Sequence, residues 1–388
     1  MHLLVTVTAH GWGHLSQTVP IVAALRARLP RLRVTLRTGL DPALVGARFA
    51  SAGVAAPAVV RDDTDFGFVM HDALEIDDER SLARYRALHA DRGWLERERD
   101  ALRALRVDAV LSNVGYQPIL AAATLGLPAF GASSLNWADL LALRYPDRPG
   151  VAPLVAQMRD AYARADALYA LQPGLPFDAF AQRVPIAPIG RRGHADRGRL
   201  RAALGLPPDG RVMLIAFGGL PMALDTEHWR LPEGWAAVAF TERVVQTPTV
   251  VDGRVLGVPF LDLLASCDLL VAKPGYGTFA EAGFAGRDTA SVPRDGWPEA
   301  PWLEAWLARH ARLARIDLPA LRAGRFEPVL EAIAAQPARP PADGEGAAQL
   351  ADDLLARLGA ADARAAADAA GPVGESRSAE SPTPRWTR

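Results

Sequence analysis

The chain has 388 residues, of which 50% are hydrophobic, and its 43 basic and 44 acidic residues leave a formal net charge of −1. A chain of this length is too long for one small hydrophobic core, so two domains are expected. The lack of a basic surplus argues against nucleic-acid binding. A single cysteine, Cys267, excludes an internal disulfide and a cysteine-based metal cluster.

The N-terminal segment MHLLVTVTAHGWGH has no basic region ahead of its apolar residues and runs directly into a predicted strand. It is therefore not expected to be a signal peptide. No apolar run approaches the roughly 20 residues that a membrane-spanning helix needs. We expect no transmembrane segment and a cytoplasmic location.

Short apolar runs alternate with amphipathic stretches through the first half of the chain. Strands are predicted at 2–9 and 33–38, separated by a helix over 14–29 whose apolar residues follow helical spacing. Further strands are predicted at 107–113, 127–133 and 165–171. Alternation of strands and helices with short connections predicts right-handed crossovers and a parallel sheet.

The pattern then restarts after a linker, 185–199, that is rich in Pro, Gly and charge. Strands are predicted at 211–219, 235–240, 267–273, 287–293 and 311–316. The predicted fold class is α/β, with two tandem Rossmann-like parallel-sheet domains at 1–184 and 200–360. Such a pair places a ligand cleft between the domains, near the carboxyl ends of the strands. Residues 361–388 lack large apolar groups and predict a disordered tail.

Three glycine-containing segments follow predicted strands, and the first is TAHGWGHLSQTVP (8–20). Gly11 and Gly13 allow a tight turn and close approach of the backbone to a ligand. His14 follows at a helix start, where the backbone dipole disfavours imidazolium. A neutral histidine in a cleft is suited to general-base catalysis. The structural alternative is that His14 only caps or packs the helix.

The second segment is FGGLP (217–221), at the end of the first strand of the second unit. Gly218 and Gly219 are candidates for lining a diphosphate site. A simple tight turn explains the same two glycines.

The third segment, LVAKPGYGTFAEAGFAG (270–286), predicts a buried strand, a loop and a helix. Gly275 and Gly277 free the backbone to approach a phosphate, and Thr278 can donate its hydroxyl at the helix start, which is itself an anion site. Glu281, one turn later, can accept the hydroxyls of a ribose. Lys273 is the only lysine in the chain. It is either a positive charge for the phosphates or a salt-bridged or snorkelling side chain.

Together these segments resemble the glycosyltransferase B superfamily of nucleotide-sugar enzymes. GHLSQTVPIVAAL resembles its N-terminal segment, and KPGYGTFAEAGFAG, followed by PRDGWPEAPWLEAW, resembles its donor-binding motif. Within the superfamily, the sequence is most similar to the glycosyltransferase-like N-terminal domain of L-arabinokinases, over about residues 1 to 360.

The resemblance implies a role for each matching position. His14 matches the base that deprotonates the acceptor hydroxyl in an inverting transfer. Gly277 and Thr278 match diphosphate contacts, and Glu281 matches the ribose-binding acid. Phe260 lies where the backbone of a loop reads uracil, which makes UDP the expected nucleotide.

The same resemblance implies the surroundings of the reaction. Arg294, Asp295 and Glu299 fall in the segment that contacts the donor sugar. The expected partners are a small-molecule nucleotide-sugar, as substrate, and an unknown acceptor. Neither a metal ion nor another cofactor is expected, because helix dipoles and side chains can neutralise the leaving diphosphate.

One position departs from the resemblance. Asn113 stands where many relatives have the aspartate that orients and charges the histidine. An amide can orient an imidazole but cannot stabilise imidazolium by charge. Either another acid serves, Asp139 or Asp65, or the acceptor is already acidic, or the chain binds without turnover.

The sequence therefore predicts a glycosyltransferase that uses a nucleoside-diphosphate sugar and inverts the anomeric centre. Two alternatives remain. One is a catalytically weak or inactive nucleotide-sugar-binding protein of the same fold, and the other is a nucleotide-sugar epimerase.

Overall fold

The computed structural model describes residues 1–62, 65–72, 74–218 and 222–370, and it contains two parallel β-sheets. The strands of the first sheet are β1 (His2–Val7), β2 (Arg33–Thr38), β3 (Ala58–Arg61), β4 (Ala109–Asn113), β5 (Ala129–Ser133), β6 (Ala167–Leu171) and β7 (Arg183–Ile186). They pair in the order β3-β2-β1-β4-β5-β6-β7.

The second sheet follows the same plan with six strands. They are β8 (Arg211–Ala216), β9 (Trp235–Phe240), β10 (Val250–Asp252), β11 (Leu269–Ala272), β12 (Thr289–Ser291) and β13 (Leu313–Arg315), in the order β10-β9-β8-β11-β12-β13. Two tandem Rossmann-like sheets are therefore present, as the sequence predicts. In each sheet the strand order reverses beside the first strand, and ligands bind at such a switch point.

Helices connect the strands within each unit. Around the first sheet they are α1 (Trp12–Arg28), α2 (Pro42–Ala50), α3 (Asp78–Ala90), α4 (Trp94–Leu105), α5 (Gln117–Thr124), α6 (Trp137–Arg144) and α7 (Val151–Tyr162). Around the second they are α8 (Arg197–Ala203), a 3₁₀ turn (Gly253–Leu256), α9 (Phe260–Ser266), α10 (Tyr276–Ala285), α11 (Ala300–Leu307), α12 (Leu318–Arg322) and α13 (Glu327–Ala334).

The central strands were predictable because parallel strands covered on both faces are continuous apolar runs. All six residues of β1 are buried, and β4, β5 and β6 are buried along their whole length. The strands β3, β7 and β10 were not predicted. They are short and lie at sheet edges with exposed or half-buried residues, so they lack that apolar signal.

The last helix, α14 (Gly346–Ala370), returns to the first unit, although the sequence placed 200–360 with the second. It packs along α1 and against β7. Leu350 and Leu354 are fully buried, and the Tyr169 hydroxyl donates to Asp353 at 2.8 Å. The helix also continues past 361, where the tail was predicted to begin. Residues 371–388 of that predicted tail lie outside the described residues.

Contacts between the units hold the carboxyl ends of the two sheets face to face. The Tyr276 hydroxyl, at the start of α10, donates to the carbonyl of Gln172 at 3.0 Å and accepts from the N–H of Ile189 at 2.9 Å. Arg144 donates to the carbonyl of Gly296. One hydrophobic core contains residues of both sheets. The space left between the units is the cleft described below.

Candidate functional site

A cleft with a cavity volume of about 250 Å³ lies between the two units at the carboxyl ends of their strands. Its walls come from the segments that follow β1, β8, β11 and β12 and from the first turns of α1 and α10. It therefore collects most of the residues that the sequence singled out: Gly11, Gly13, His14, Gly218, Phe260, Lys273, Gly275, Gly277, Thr278, Glu281, Arg294 and Glu299.

Two helix N-termini converge on this cleft. Helix α1 begins after Gly11, whose φ of 110° favours glycine, and α10 begins after Gly275; neither start has a side-chain cap. The starts adjoin each other, because a Cβ added at Gly277 would lie 3.2 Å from the Ser16 Cβ and 4.0 Å from the Gly13 Cα. Uncapped N–H groups and two helix dipoles make this a site for an anion.

Lys273 follows β11 and adds a positive charge to the same wall. Burial, with a smaller effect from the charge of Arg294, lowers the pKa of Lys273 to about 7. No ion pair joins Lys273 to a carboxylate within the part of the chain that the structure describes. Because its charge is unpaired there, the salt-bridge interpretation of this lysine is not supported.

Glu281 lies one turn into α10 and is 8% exposed. Burial raises the pKa of Glu281 to about 7, while the charges of Arg191 and Arg48 oppose that rise. Arg48 also lies over the ring of Trp12, at 5.3 Å from its centroid. The carboxyl group thus lies between two arginines at one end of the cleft, where it can accept hydroxyl donors.

His14 heads a chain of hydrogen bonds that runs into the first unit. Its Nδ1 bonds to Asn113 Oδ1 at 2.8 Å, Asn113 Nδ2 donates to Gln17 Oε1 at 2.9 Å, and Gln17 Nε2 donates to Ser134 Oγ at 3.0 Å. With an amide oxygen as its partner, Nδ1 carries the ring proton and Nε2 keeps the lone pair. Burial lowers the pKa of His14 to about 4, so the ring is neutral at physiological pH.

Neither acid proposed as a substitute for Asn113 contacts His14. Asp139 accepts from Asn136, the N-cap residue of α6, at 2.7 Å and pairs with Arg159 at 2.8 Å. Asp65 accepts from Trp137 Nε1 at 2.8 Å, and burial raises the pKa of Asp65 to about 6. The expectation that Asp139 or Asp65 serves the histidine is therefore wrong: both are engaged elsewhere, and Asn113 is its side-chain partner.

Aromatic rings line the far end of the cleft. Phe260 begins α9 and packs edge-on against Phe240, with ring centroids 5.9 Å apart. Gly218, with a φ of 74°, turns the chain after β8 beside them. Gly219 lies outside the described residues, so its predicted contact stays a prediction. Apolar surface beside a turn with a free backbone is suited to a planar base.

The segment after β12 divides between two surfaces. Arg294 and Glu299 line the cleft, whereas Asp295 is exposed and lies in a separate surface depression with Arg144 and Trp302. The donor-sugar assignment of Asp295 therefore stays a prediction, and the structure places this residue outside the cleft lining. Residues 294–297 form a turn in which the Trp297 N–H donates to the Arg294 carbonyl at 3.1 Å, and Arg294 and Trp297 line both the cleft and the depression.

The fold has clear counterparts among solved structures, although no family model matches the sequence. A calicheamicin glycosyltransferase superposes with a TM-score of 0.62 at 19% identity, covering 92% of this chain and 98% of that one. The chain has the glycosyltransferase B fold.

Two further structures share the glycosyltransferase B fold with it. The glycosyltransferase VinC, solved in complex with DTDP, gives a TM-score of 0.54 at 18% identity and covers 94% of this chain and all of that one (100%). A UDP-N-acetylglucosamine 2-epimerase gives 0.53 at 13% identity, over 92% and 97% of the two chains. At these identities the likeness concerns the fold.

A curated relative agrees with the resemblance read from the sequence. An L-arabinokinase from Arabidopsis thaliana is 28% identical over 330 residues, which are 84% of this chain and 31% of that protein. The chain thus spans less than a third of the length of the curated relative it matches.

Several residues of the cleft in this glycosyltransferase B fold were missed from sequence. His10 stacks on Trp297, with ring centroids 5.4 Å apart and planes 9° apart, and lies edge-on to Trp137. Gln17 and Arg48 also line the cleft. His10 stands in AHGWGH, four residues before His14, and a second histidine beside the glycines was the available signal. No local signal points to Trp297, because its stacking partner, His10, lies in the other unit.

Proposed function

We propose that this chain is a glycosyltransferase that transfers a sugar from UDP, as nucleoside-diphosphate carrier, to an acceptor with inversion at the anomeric carbon. One observation carries the proposal. Two uncapped helix starts, Lys273, a buried glutamate and a neutral histidine all line the same cleft. These are the kinds of group that the ribose, the phosphates and the acceptor hydroxyl of a nucleotide-sugar transfer require.

The cradle for the donor uses Glu281, the α10 start and Phe260. Glu281 accepts the ribose hydroxyls, and the N–H groups after Gly275 and the Thr278 hydroxyl bind the diphosphate. Phe260 and Phe240 contact the base. As the glycosidic bond breaks, charge develops on the leaving diphosphate, and fixed dipoles aimed at that charge lower the barrier. We propose that Lys273 and the two helix starts neutralise it without a metal ion.

His14 is the proposed base. Its Nε2 accepts the proton of the acceptor hydroxyl while the acceptor oxygen attacks the anomeric carbon from the face opposite the diphosphate. Asn113 engages Nδ1 and so leaves Nε2 as the nitrogen that can accept the proton. General-base catalysis contributes roughly 10²–10⁴-fold to a rate. His14→Ala is therefore expected to lose turnover by about that factor while retaining nucleotide binding.

The test uses the full chain and separates binding from transfer. A thermal-shift panel of UDP, dTDP, GDP and ADP identifies the nucleotide, because a ligand that binds the folded state raises the apparent stability. Donor consumption with UDP-sugars is then followed as release of UDP, with His14→Ala as the matched variant. The absence of nucleotide stabilisation, or of any sugar loss with every donor and acceptor tested, would contradict a transferase.

A second candidate is a nucleotide-sugar-binding protein without transfer activity. The observation that favours it is the pairing of His14 with an amide in place of a carboxylate, which leaves the imidazole a weak base. Tight nucleotide binding without sugar loss would support this candidate. An epimerase, the other alternative, would convert the donor sugar with no acceptor present, so the same assay run without acceptor separates it from a transferase.

A further inference from the structure

Three buried polar atoms without a hydrogen-bond partner lie on the cleft wall near His14. They are His10 Nε2, Arg294 Nε and Glu299 Oε1, and all three residues line the cleft. Arg294 is 8% exposed and Glu299 is 3% exposed. A buried polar group without a partner costs about 1–3 kcal/mol, and native structures leave few of them. Three such atoms on one cleft wall indicate a polar ligand that forms hydrogen bonds with them.

Arg294 lacks the carboxylate partner that a buried arginine usually has. Its guanidinium lies over the ring of Trp297, 3.7 Å from the centroid, and its Nη2 contacts the Met70 sulfur at 3.6 Å. Glu299 and Asp72 attract it only at longer range. No ion pair between Arg294 and a carboxylate occurs in the described ranges, so its charge is free to meet an anion in the cleft.

The cleft holds a positive charge besides that of Lys273. Lys273 and the two helix starts already suit the diphosphate. Arg294 is a second unpaired cation, close enough that its charge contributes to the lowered pKa of Lys273. It packs against Met70 and Trp297 beside His10, whereas the carboxylate at the proposed ribose end interacts with Arg48 and Arg191. The two ends of the cleft therefore have separate charges.

Glu299 belongs to the same wall as the proposed base. Its Oε2 accepts from Trp297 Nε1 at 3.2 Å, and Ser134, the last residue of the hydrogen-bond chain from His14, also lines the cleft. Burial raises the pKa of Glu299, and its unpaired Oε1 can accept from a hydroxyl group of a ligand. Arg294 and Glu299 thus border the place where the reacting sugar would lie.

We propose that the cleft binds a second anionic group beside the donor diphosphate, through Arg294, with His10 and Glu299 pairing the hydroxyl groups next to it. This inference rests on the proposed function and narrows its substrates: the transferred sugar or the acceptor carries a carboxylate or a phosphate. An independent observation agrees for the acceptor. An ionised oxygen forms the bond to the anomeric carbon as the bond to the diphosphate breaks, and no proton must be removed by the weak base His14.

Calorimetric titration of the full chain distinguishes the two sources of the anion. UDP-glucuronate against UDP-glucose tests a carboxylate on the transferred sugar, and UDP with and without inorganic phosphate tests an anionic acceptor. We expect the affinity to be about tenfold or more higher either for UDP-glucuronate than for UDP-glucose, or for UDP with phosphate than for UDP without it. Either preference supports the inference and names the source.

Variants decide whether Arg294 is responsible. Arg294→Gln is expected to reduce the observed affinity ratio to within about twofold. Arg294→Lys, which keeps the charge, is expected to retain part of the preference. Arg309 is an exposed arginine just after α11, so Arg309→Gln makes the same change of charge outside the cleft. This control variant is expected to keep the full affinity ratio. UDP binding with neither preference, or a preference that persists in Arg294→Gln, overturns this inference alone. Absence of UDP binding contradicts the proposed function, and the inference with it.

Discussion

His14 Nδ1 and Asn113 Oδ1 lie 2.8 Å apart and form the hydrogen bond that orients the proposed base. The amide fixes the tautomer but supplies no charge to hold a proton on the ring. Burial dominates the electrostatics, and the pKa of His14 is lowered to about 4. The pairing therefore leaves a well-oriented but weak base.

Asn113→Asp is expected to strengthen that base. A carboxylate beside the ring stabilises imidazolium, so the pKa of His14 rises. Because only neutral His14 accepts a proton, activity is lost below its pKa: in the parent the acid limb lies near the pKa of about 4, and in the variant it moves to higher pH. The measurement is kcat/KM for UDP release against pH. Asn113→Ala, which removes the partner, should lower the rate without moving the limb upward, and an unmoved limb in Asn113→Asp would refute the assignment.

Glu281→Ala is expected to weaken UDP binding by about 2–3 kcal/mol, because charged hydrogen bonds to the ribose are lost. The measurement is calorimetric affinity at pH 8, above the pKa of about 7, where the carboxyl group is ionised in the parent. 2′-Deoxy-UDP is the matched ligand: the parent should bind it more weakly than UDP, and the variant should not distinguish the two. Equal affinities of parent and variant for UDP would remove the ribose assignment.

The pH dependence of stability offers a second test of Glu281, without ligand. Its pKa rises from 4.5 to about 7 on folding, so the folded chain holds the proton more tightly than the unfolded chain. The group therefore destabilises the fold progressively as pH rises from about 4.5 to 7. Between pH 5 and pH 8, the free energy of unfolding of Glu281→Gln, measured in urea, should therefore rise by about 1–3 kcal/mol relative to that of the parent. A constant difference across that range would show that the carboxyl group is not buried as described.

The site was predictable where the backbone itself is constrained. Gly11 and Gly275 immediately precede α1 and α10, and Gly277 lies in the first turn of α10; these positions converge because carboxyl ends of parallel strands share an edge. Relations between distant segments were not predictable. Local pattern gives no signal that His10 stacks on Trp297, and α14 reads as an ordinary amphipathic helix whichever sheet it covers.

Lys273 offers a chemical test, since it is the only lysine in the chain. Its lowered pKa of about 7 leaves much of the amine neutral at pH 7.5, so reductive methylation should modify it readily. UDP should slow that modification and leave the α-amino group of the chain unaffected, as peptide mapping would show. Lys273→Arg should bind UDP with an affinity within a few-fold of that of the parent, and Lys273→Ala should bind UDP about tenfold more weakly. Modification at an equal rate with and without UDP would place the diphosphate elsewhere.

Gly283→Ala tests the packing that positions α10 and therefore the anion site. A Cβ at Gly283 would lie 2.4 Å from the ring of Trp306 in α11, a rigid neighbour with little room to move. Overpacking of this kind costs about 1–3 kcal/mol, which should exceed the gain in helix propensity. Gly359→Ala in α14 is the matched control, because nothing lies within 4 Å of its added Cβ. There the same substitution should stabilise by up to about 1 kcal/mol. Thermal unfolding of both variants measures the difference, and a stabilised Gly283→Ala would mean that α10 does not pack against Trp306 as described.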